Sequence, residues 1–536
     1  MSEDLPPAAH PQRNLTLVLA LTLAAGLLAR VSNLPLHLTR PMNSDAALFL
    51  SEARAQLAGG ARLDPLWPPL YPLASALAAG PGGDLEMAAL TLAVLAGTLA
   101  PLPVFLLGRR LFGPWAACFG ALAVALLSPL VFWSCQAYPE TLFILTLYSL
   151  LALFWVRRSD GGPGTCFVAG LLAGVAYLLR PEGFAYAPLL AGWLLADPAR
   201  DATAHGRART AAALLAGFAL LAAPCLWRLH SQLGHWTVSG KTGWNLLVGD
   251  RVLGKDYDQL AWSLSSDGKE IACNRAMREL TVAQVARERP AELARRYAAN
   301  VRRLLGQLAD SLGWVMTALA VVGVVAAARE PAALAFLAIA CAPLMALPLF
   351  FIDGRFVTLA LPALVLLAAR GVDHAAGVLS PSPARRRLVW TLLCAVALVP
   401  HALTATAIAM AAPQVRLAPR AGDEYRQVGL WMRQHCPAGS RTTNVWVAFH
   451  SGLTPVQIPF GGYHQTLEYL ARQGCDFLVV DRRTADRGWL PESSLAFAFL
   501  LRTERPPQEL EPLYRWNAQP EFEVRVYRIR REGMRL

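Results

Sequence analysis

The chain has 536 residues, of which 55% are hydrophobic and only 16% are charged. Soluble proteins average about 25% charged residues, so this composition excludes an ordinary soluble protein and indicates a polytopic membrane protein. The formal net charge of +12 would suit a nucleic-acid partner. Many of the basic residues lie in short loops between apolar runs, however, which is the pattern of membrane proteins and argues against nucleic acid.

About eleven apolar runs are candidates for membrane helices, judged against a hydrocarbon core of about 30 Å. The first begins at Leu15 and is short enough for a signal peptide, but no clear small-residue cleavage site follows it, so we predict a retained helix. The pair 165–179 and 184–195 is short and would also fit a helical hairpin that does not cross fully. The runs are 15–29, 86–107, 115–133, 141–156, 165–179, 184–195, 210–227, 310–328, 332–350, 356–369 and 388–411.

Arginine-rich loops, among them Arg109–Arg110 and Arg385–Arg387, alternate along the chain with loops of other composition. If the N-terminus is cytoplasmic, all of the short arginine-rich loops are cytoplasmic, in agreement with the positive-inside rule. The expected location is the inner (plasma) membrane. The long segments 37–85 and 228–309 and the C-terminal tail would then lie on the periplasmic or extracellular side.

The tail is less apolar than the rest of the chain and predicts a separate domain. Asp423–His435 and His464–Arg472 read as helices, whereas Arg441–Val447, Cys475–Asp481 and Glu521–Ile529 read as strands. We therefore expect two domains, a transmembrane domain over 1–411 and a small extracytoplasmic α/β domain over 412–536. Cys436 and Cys475 are equally compatible with a disulfide and with two unpaired core cysteines.

Charged residues recur at the predicted outer ends of the membrane helices. They are Asp45, Glu140, Arg180 with Glu182, and Asp353 with Arg355. Taken singly, an arginine there can reach to the interface, and an Asp–Gly pair can form a turn. Together they suggest a functional site, because carboxylates suit a general base and arginines suit a phosphate.

Lys241 is a further candidate contact for a phosphate or pyrophosphate. The segment Ser239–Thr242 resembles the end of a phosphate-binding loop, but the upstream glycine, Gly234, is one residue too far away. We therefore do not expect ATP binding there.

Several motifs resemble those of the GT-C superfamily of membrane glycosyltransferases, specifically glycosyltransferase family 39. That group includes the protein O-mannosyltransferases and the lipid A aminoarabinose transferase. The resemblance covers about residues 15–410. It is carried by Arg30 and Asp45, by WPPLYPLASAL with Trp67 and Tyr71, by AYPETLFILTLYSLLALF with Tyr138 and Glu140, by YLLRPEGFAYAPLL, and by DGRFVTLALPALVLLAARGV.

The resemblance implies an all-α, GT-C-type membrane fold with about 11 transmembrane helices. It further implies an inverting transfer of a sugar from a polyprenyl-phosphate donor to a lipid, glycan or protein acceptor on the outer face. Asp45 would be the base, assisted by Glu140, and burial would raise the pKa of Asp45 toward neutrality. The donor phosphate would contact Arg180, Arg355 and Lys241. Trp67, Tyr71, Tyr138, Glu182 and Asp353 would form the substrate pocket.

The sequence departs from the family pattern in three places. Ala46 follows Asp45 where the family often has a second acid, Phe49 stands near the position of a family tyrosine, and Trp67 replaces a histidine. These departures leave a divalent metal cofactor and the acceptor class open. They leave Asp45 as the one clear candidate base. The partners that the resemblance implies are a polyprenyl-phosphate-linked sugar and membrane lipids.

Two other functions compete with the transferase. A flippase or transporter of lipid-linked sugars would be expected to show internal repeats and broken helices near the membrane midplane, and no convincing repeat is visible. A non-catalytic scaffold whose tail binds a partner would not depend on Asp45.

Overall fold

The computed structural model describes residues 10–38, 41–59, 64–157, 160–196, 203–380, 382–416, 422–487 and 496–532. Most of these residues are helical, as expected of an all-α membrane protein. The N-terminal half is built from helices α1 to α11, whose bounds are His10–Leu38, Ser44–Leu57, Leu70–Ala79, Leu85–Leu99, Pro101–Phe112, Pro114–Leu126, Ser128–Ser134, Glu140–Val156, Pro163–Leu179, Tyr186–Ala196 and Ala204–Leu233.

The loop after α11 folds into short helices before the chain returns to apolar segments. Helices α12 to α16 are Thr242–Val248, Tyr257–Trp262, Ala272–Glu279, Val282–Glu288 and Pro290–Leu312, and α17 to α20 are Trp314–Ala326, Pro331–Ala346, Leu361–Leu379 and Pro383–Arg416. Short 3₁₀ turns occupy Pro181–Ala185, Gly249–Leu253, Leu347–Leu349, Gly354–Ala360, Ala498–Leu501 and Pro520–Phe522.

Among the described residues, six helices are long and apolar enough to cross a membrane, or up to eight if each of two bent pairs is one span. The multi-pass architecture is thus confirmed, but the expected count of about eleven is not. Two of the predicted spans correspond to α8 and α9, which have 17 residues each. At 1.5 Å per residue such a helix is about 26 Å long, shorter than a hydrocarbon core of about 30 Å.

Glycines allow the long helices to pack closely. A Cβ atom on Gly323 of α17 would lie 1.8 Å from the Leu367 carbonyl oxygen of α19, and one on Gly371 would lie 1.9 Å from that of Leu319. Small residues have this role at helix interfaces in membranes, because they let two backbones approach.

The C-terminal part of the chain contains a five-stranded sheet of order β2-β1-β3-β5-β4. Strands β1 to β5 are Arg441–Thr442, Thr454–Pro455, Phe477–Asp481, Leu510–Trp516 and Val524–Ile529, and helices α21 to α24 are Asp423–His435, Val445–Ser451, Tyr463–Arg472 and Arg482–Arg487. Strand β1 is parallel to β2 and β3, whereas β5 is antiparallel to β3 and β4.

One predicted strand of this region is wrong in part. The strand expected over Arg441–Val447 ends at Thr442, because the Asn444 side chain accepts hydrogen bonds from the backbone of Trp446 and Val447, both at 3.0 Å, and begins helix α22. Cys436 and Cys475 are not joined to each other in the structure.

The sheet region rests on the loop after α1. The Trp446 indole donates to the Met42 carbonyl oxygen at 2.6 Å. The Arg54 guanidinium of α2 lies 4.6 Å from the centroid of the Phe449 ring and donates to the Phe449 carbonyl oxygen. These contacts place the C-terminal region against both ends of helix α2, the first turn of which carries Asp45.

Candidate active site

Asp45 occupies the first turn of helix α2. The Asn43 side chain caps this helix by accepting a hydrogen bond from the Asp45 backbone at 3.0 Å. A carboxylate in the first turn of a helix is stabilised by the helix dipole. Arg355 Nη1 donates to Asp45 Oδ2 at 2.9 Å, so residues 310 positions apart in the sequence form one ion pair.

The turn that carries Arg355 is fixed by its own aspartate. Asp353 Oδ1 accepts a hydrogen bond from the Arg355 backbone at 3.0 Å and so caps the 3₁₀ turn Gly354–Ala360. The guanidinium carbon of Arg355 lies 5.5 Å from the centroid of the Tyr138 ring. Tyr138 and Asp353 therefore hold Arg355 in place.

Glu140, Arg180 and Glu182 form a second ion-paired group. Arg180 Nη1 contacts Glu140 Oε1, and Arg180 Nη2 donates to Glu182 Oε1 at 2.8 Å. The Glu140 side chain is only 2% exposed. Its other oxygen, Oε2, is buried and has no hydrogen-bond partner among the described residues.

Lys241 lies over an aromatic ring and is not paired with a carboxylate. Its Nζ atom is 3.4 Å from the centroid of the Trp67 ring, a cation–π contact. Trp67 in turn packs on Phe49, with ring centroids 4.3 Å apart. Among the described residues, the Lys241 ammonium makes no hydrogen bond or ion pair.

The ion-paired groups and Lys241 meet at one cavity of about 550 Å³. The charged residues on its wall are mostly those expected from the sequence, namely Asp45, Glu140, Arg180, Glu182, Lys241 and Arg355, and Trp67 lies beside them. Three expected pocket residues do not line it. Tyr71 is fully buried behind Phe49, and Tyr138 and Asp353 support Arg355 from behind the wall.

The wall also carries aromatic residues that lie outside the sequence motifs. They come from the loop after α11, from the turn before Arg355 and from the C-terminal region, and are Trp244, Tyr257, Trp262, Phe350, Phe351 and Trp446. Only a high density of aromatic residues in a predicted outer loop could have pointed to them. The cavity wall therefore combines charged and aromatic side chains.

The charge state of Asp45 differs from the expectation. Burial does act to raise the pKa of Asp45, but the positive charges of Lys241 and Arg355 outweigh it and lower the pKa below its usual value. The prediction of a raised pKa is therefore wrong. The carboxylate is ionised at neutral pH and available to accept a proton.

For Lys241 the effect of burial on the pKa is larger than the effect of the neighbouring charges. Burial lowers its pKa from 10.5 to about 8, and the nearby Asp45 carboxylate offsets only part of that effect. At neutral pH the side chain is still an ammonium ion. It is also the cation in the cavity with the fewest bonds to protein carboxylates.

The described residues do not fit a resident divalent metal ion. They contain no group of three or more His, Cys, Asp or Glu side chains that could hold one. Of the carboxylates on the cavity wall, Asp45, Glu140 and Glu182 already face guanidinium groups, which would repel a cation. Metal sites of this kind need several free oxygen ligands.

The comparisons with known proteins agree with this architecture. The family model of dolichyl-phosphate-mannose-protein mannosyltransferases matches residues 67–227. No curated protein sequence matches the chain.

Solved structures match over nearly the whole chain. The oligosaccharyltransferase of Archaeoglobus fulgidus in complex with zinc and sulfate has a TM-score of 0.61 and 15% identity, covering 94% of this chain and 72% of that one. The same archaeon's AglB in complex with an inhibitory peptide and a dolichol-phosphate has a TM-score of 0.60 and 15% identity, covering 96% and 74%.

ArnT from Cupriavidus metallidurans bound to undecaprenyl phosphate has a TM-score of 0.53 and 13% identity, covering 97% of this chain and 98% of that one. At these identities the likeness concerns the fold. Together with the family model, it confirms the resemblance predicted from the motifs, and the chain has the fold of the GT-C superfamily of membrane glycosyltransferases.

Proposed function

We propose that this protein is an inverting glycosyltransferase that moves a sugar from a polyprenyl-phosphate donor to an acceptor on the outer face of the membrane. The observation that carries the proposal is the meeting of Asp45, Arg355 and Lys241 in one cavity. An ionised carboxylate beside two cations matches a reaction that removes a proton from an acceptor and releases a phosphate.

The donor class is supported by the solved structures of similar fold. One of them holds a dolichol-phosphate and another holds undecaprenyl phosphate. In this chain Arg355 and Lys241 would bind the phosphate. Arg180 would contribute less to phosphate binding, because its guanidinium already bonds two carboxylates.

In the proposed reaction Asp45 accepts the proton of an acceptor hydroxyl or amine while that atom bonds to the anomeric carbon of the sugar. The bond between this carbon and the phosphate oxygen breaks on the opposite face, so the configuration inverts. The electron pair leaves with the polyprenyl phosphate, and Arg355 and Lys241 stabilise the added negative charge. Glu140 would assist from behind, by holding the Arg180 guanidinium at the cavity wall.

The aromatic residues of the cavity wall would receive the acceptor. Trp244, Tyr257 and Trp262 come from the loop after α11 and Trp446 from the C-terminal region, and we propose that both lie outside the membrane. Glu140 is the first residue of α8 and Arg180 follows the last residue of α9, which suits a donor whose lipid tail stays in the bilayer. The N-terminus would then be cytoplasmic.

Asp45→Asn tests the proposal. The substitution keeps the size of the side chain but removes the base, so we expect transfer to fall by roughly 10²–10⁴-fold. Mass spectrometry of the cell-envelope glycans, with wild-type and variant proteins expressed at equal levels, provides the measurement. Copurified lipids of the wild type should include a polyprenyl phosphate.

Asp84→Asn is the matched control. Asp84 lies in the same predicted outer segment and caps helix α4, a role that asparagine performs equally well. Glycans should be unchanged in this variant. If glycans were also unchanged in Asp45→Asn, the transferase proposal would be overturned and the scaffold interpretation favoured.

A further inference from the structure

Helix α16, Pro290–Leu312, lies across the direction of the neighbouring membrane helix. The chain turns through 109° at Gly313 between α16 and α17, and Gly313 has a φ of 76°. Helix α17 packs along α19, which is part of a candidate span. Helix α16 therefore runs close to the plane of the membrane surface, on the side where the cavity lies.

The exposed face of α16 has two different edges. Arg295 and Arg302 are seven residues apart and exposed, and Arg303 is exposed beside them. The adjoining edge carries exposed Ala294, Ala298 and Leu305, of which Leu305 is 60% exposed. A strip of arginines next to a strip of apolar side chains is the pattern of a helix that lies in the lipid headgroup layer.

The arginines of this face carry charge that the protein does not neutralise. In the part of the chain that the structure describes, Arg295, Arg302 and Arg303 form no ion pairs, unlike the buried Arg296 of the same helix. Trp314 is 77% exposed at the corner where the chain enters the bilayer, and tryptophan prefers this interfacial depth.

We propose that this face of α16 binds anionic phospholipids of the surrounding bilayer, with Arg295, Arg302 and Arg303 holding the headgroup phosphates. Basic residues close to a membrane surface favour anionic lipids over zwitterionic ones. Leu305, Ala298 and Trp314 enter the boundary between headgroups and acyl chains. This surface lies outside the cavity and does not depend on the transferase activity.

The same helix connects this lipid surface to the cavity. On its buried face, Arg296 Nη1 donates to the Leu349 carbonyl oxygen at 3.2 Å, and Asn300 Nδ2 donates to the Phe350 carbonyl oxygen at 2.7 Å. These bonds fix the backbone just before Asp353 and Arg355. Anionic lipid bound outside therefore stabilises a helix that supports the cavity wall.

The test uses the full-length protein in a neutral detergent and measures its thermal unfolding midpoint. Phosphatidylglycerol should raise the midpoint of the wild type, whereas the same concentration of phosphatidylcholine should not. The variant Arg295→Gln/Arg302→Gln should lose the rise, and Arg295→Lys/Arg302→Lys should retain it. The lysine variant changes the same two positions but keeps their positive charge. A rise that is lost with glutamine and retained with lysine is therefore due to the charge and not to a folding defect.

Arg426→Gln/Arg433→Gln is the charge-matched control. These arginines are also exposed and seven residues apart, on helix α21 of the C-terminal region. This variant should keep the full rise. The proposal is overturned by an undiminished rise in Arg295→Gln/Arg302→Gln, by an equal rise with phosphatidylcholine, or by the absence of any rise when phosphatidylglycerol is added to the wild type.

Discussion

Two clusters of arginine and carboxylate side chains lie on the same side of this molecule, and they differ in what surrounds them. The cavity cluster consists of Asp45, Arg355 and Lys241. The support cluster consists of Asp250, Arg296 and Asn300. In the support cluster the Arg296 and Asp250 side chains are 1% and 4% exposed, whereas in the cavity cluster those of Arg355 and Asp45 are 20% and 24% exposed.

The partners of the two arginines explain the difference. Arg296 contacts Asp250 and donates to the carbonyl oxygens of Leu246 at 2.8 Å and Leu349 at 3.2 Å, all of them fixed protein groups. Arg355 contacts one carboxylate and faces an open cavity. The same chemical group therefore stabilises the fold where protein surrounds it, as at Arg296. It can contact a ligand where it faces a cavity, as at Arg355.

The largest effect that we expect is a loss of folding stability when the support cluster is broken. In Arg296→Met the buried carboxylate of Asp250 loses its closest partner, and breaking a buried ion pair costs about 3–5 kcal/mol. Lys255, 2.9 Å from Asp250, remains and places the expected loss near the lower end. The thermal unfolding midpoint in detergent should fall clearly, while the protein that stays folded still binds donor.

Arg275→Met provides the control for this variant. Arg275 forms an exposed pair with Glu279 four residues later, at 2.7 Å, and such surface pairs contribute little to stability. Its unfolding midpoint should match the wild type. Equal midpoints for Arg275→Met and Arg296→Met would show that the support cluster is not architectural.

The next effect concerns donor binding at the cavity cluster. Arg355→Ala removes a charged hydrogen-bond donor worth about 1.5–3 kcal/mol, so the donor KM should rise by roughly 10- to 100-fold. The acceptor KM should change much less. Titration of each substrate in detergent makes the measurement, and an unaltered donor KM would mean that Arg355 serves only to hold Asp45.

The sequence could predict most of the charged residues of the cavity but not the support cluster, for a physical reason. Asp45, Glu140, Arg180 and Arg355 lie at ends of apolar runs, where a charge is conspicuous. Arg296 lies in a polar segment with many other arginines, and nothing in the sequence distinguishes it from the exposed Arg295. Only the folded contacts of α16 separate the two.

Other features depended on tertiary contacts in the same way. The helix bounds of Asp423–His435 follow from local periodicity and were predictable. The place of Trp446 above Met42 brings together residues 404 positions apart, and no local pattern indicates it. The pKa of Asp45 likewise depends on Lys241, whose position over Trp67 is set by the fold.

The smallest expected effect is a pH dependence of donor affinity, which Lys241 would cause and the arginines of both clusters would not. Since the Lys241 pKa is lowered to about 8, its ammonium is charged below pH 8 and becomes neutral as the pH rises through that value. Arginine stays protonated over the same range. Donor affinity should therefore decline by a few-fold between roughly pH 7 and 9, because the donor phosphate then faces one positive charge fewer.

Lys241→Arg should remove that decline, because its guanidinium stays charged, and Lys241→Met should bind donor weakly at every pH. Asp45→Asn sharpens the assignment further. The Asp45 carboxylate raises the pKa of Lys241, so its removal should shift the decline in donor binding to lower pH. Binding of labelled undecaprenyl phosphate, which needs no turnover, makes all three measurements. An unchanged profile in Lys241→Arg would assign the titration to another group and leave Arg355 as the phosphate contact of the cavity cluster.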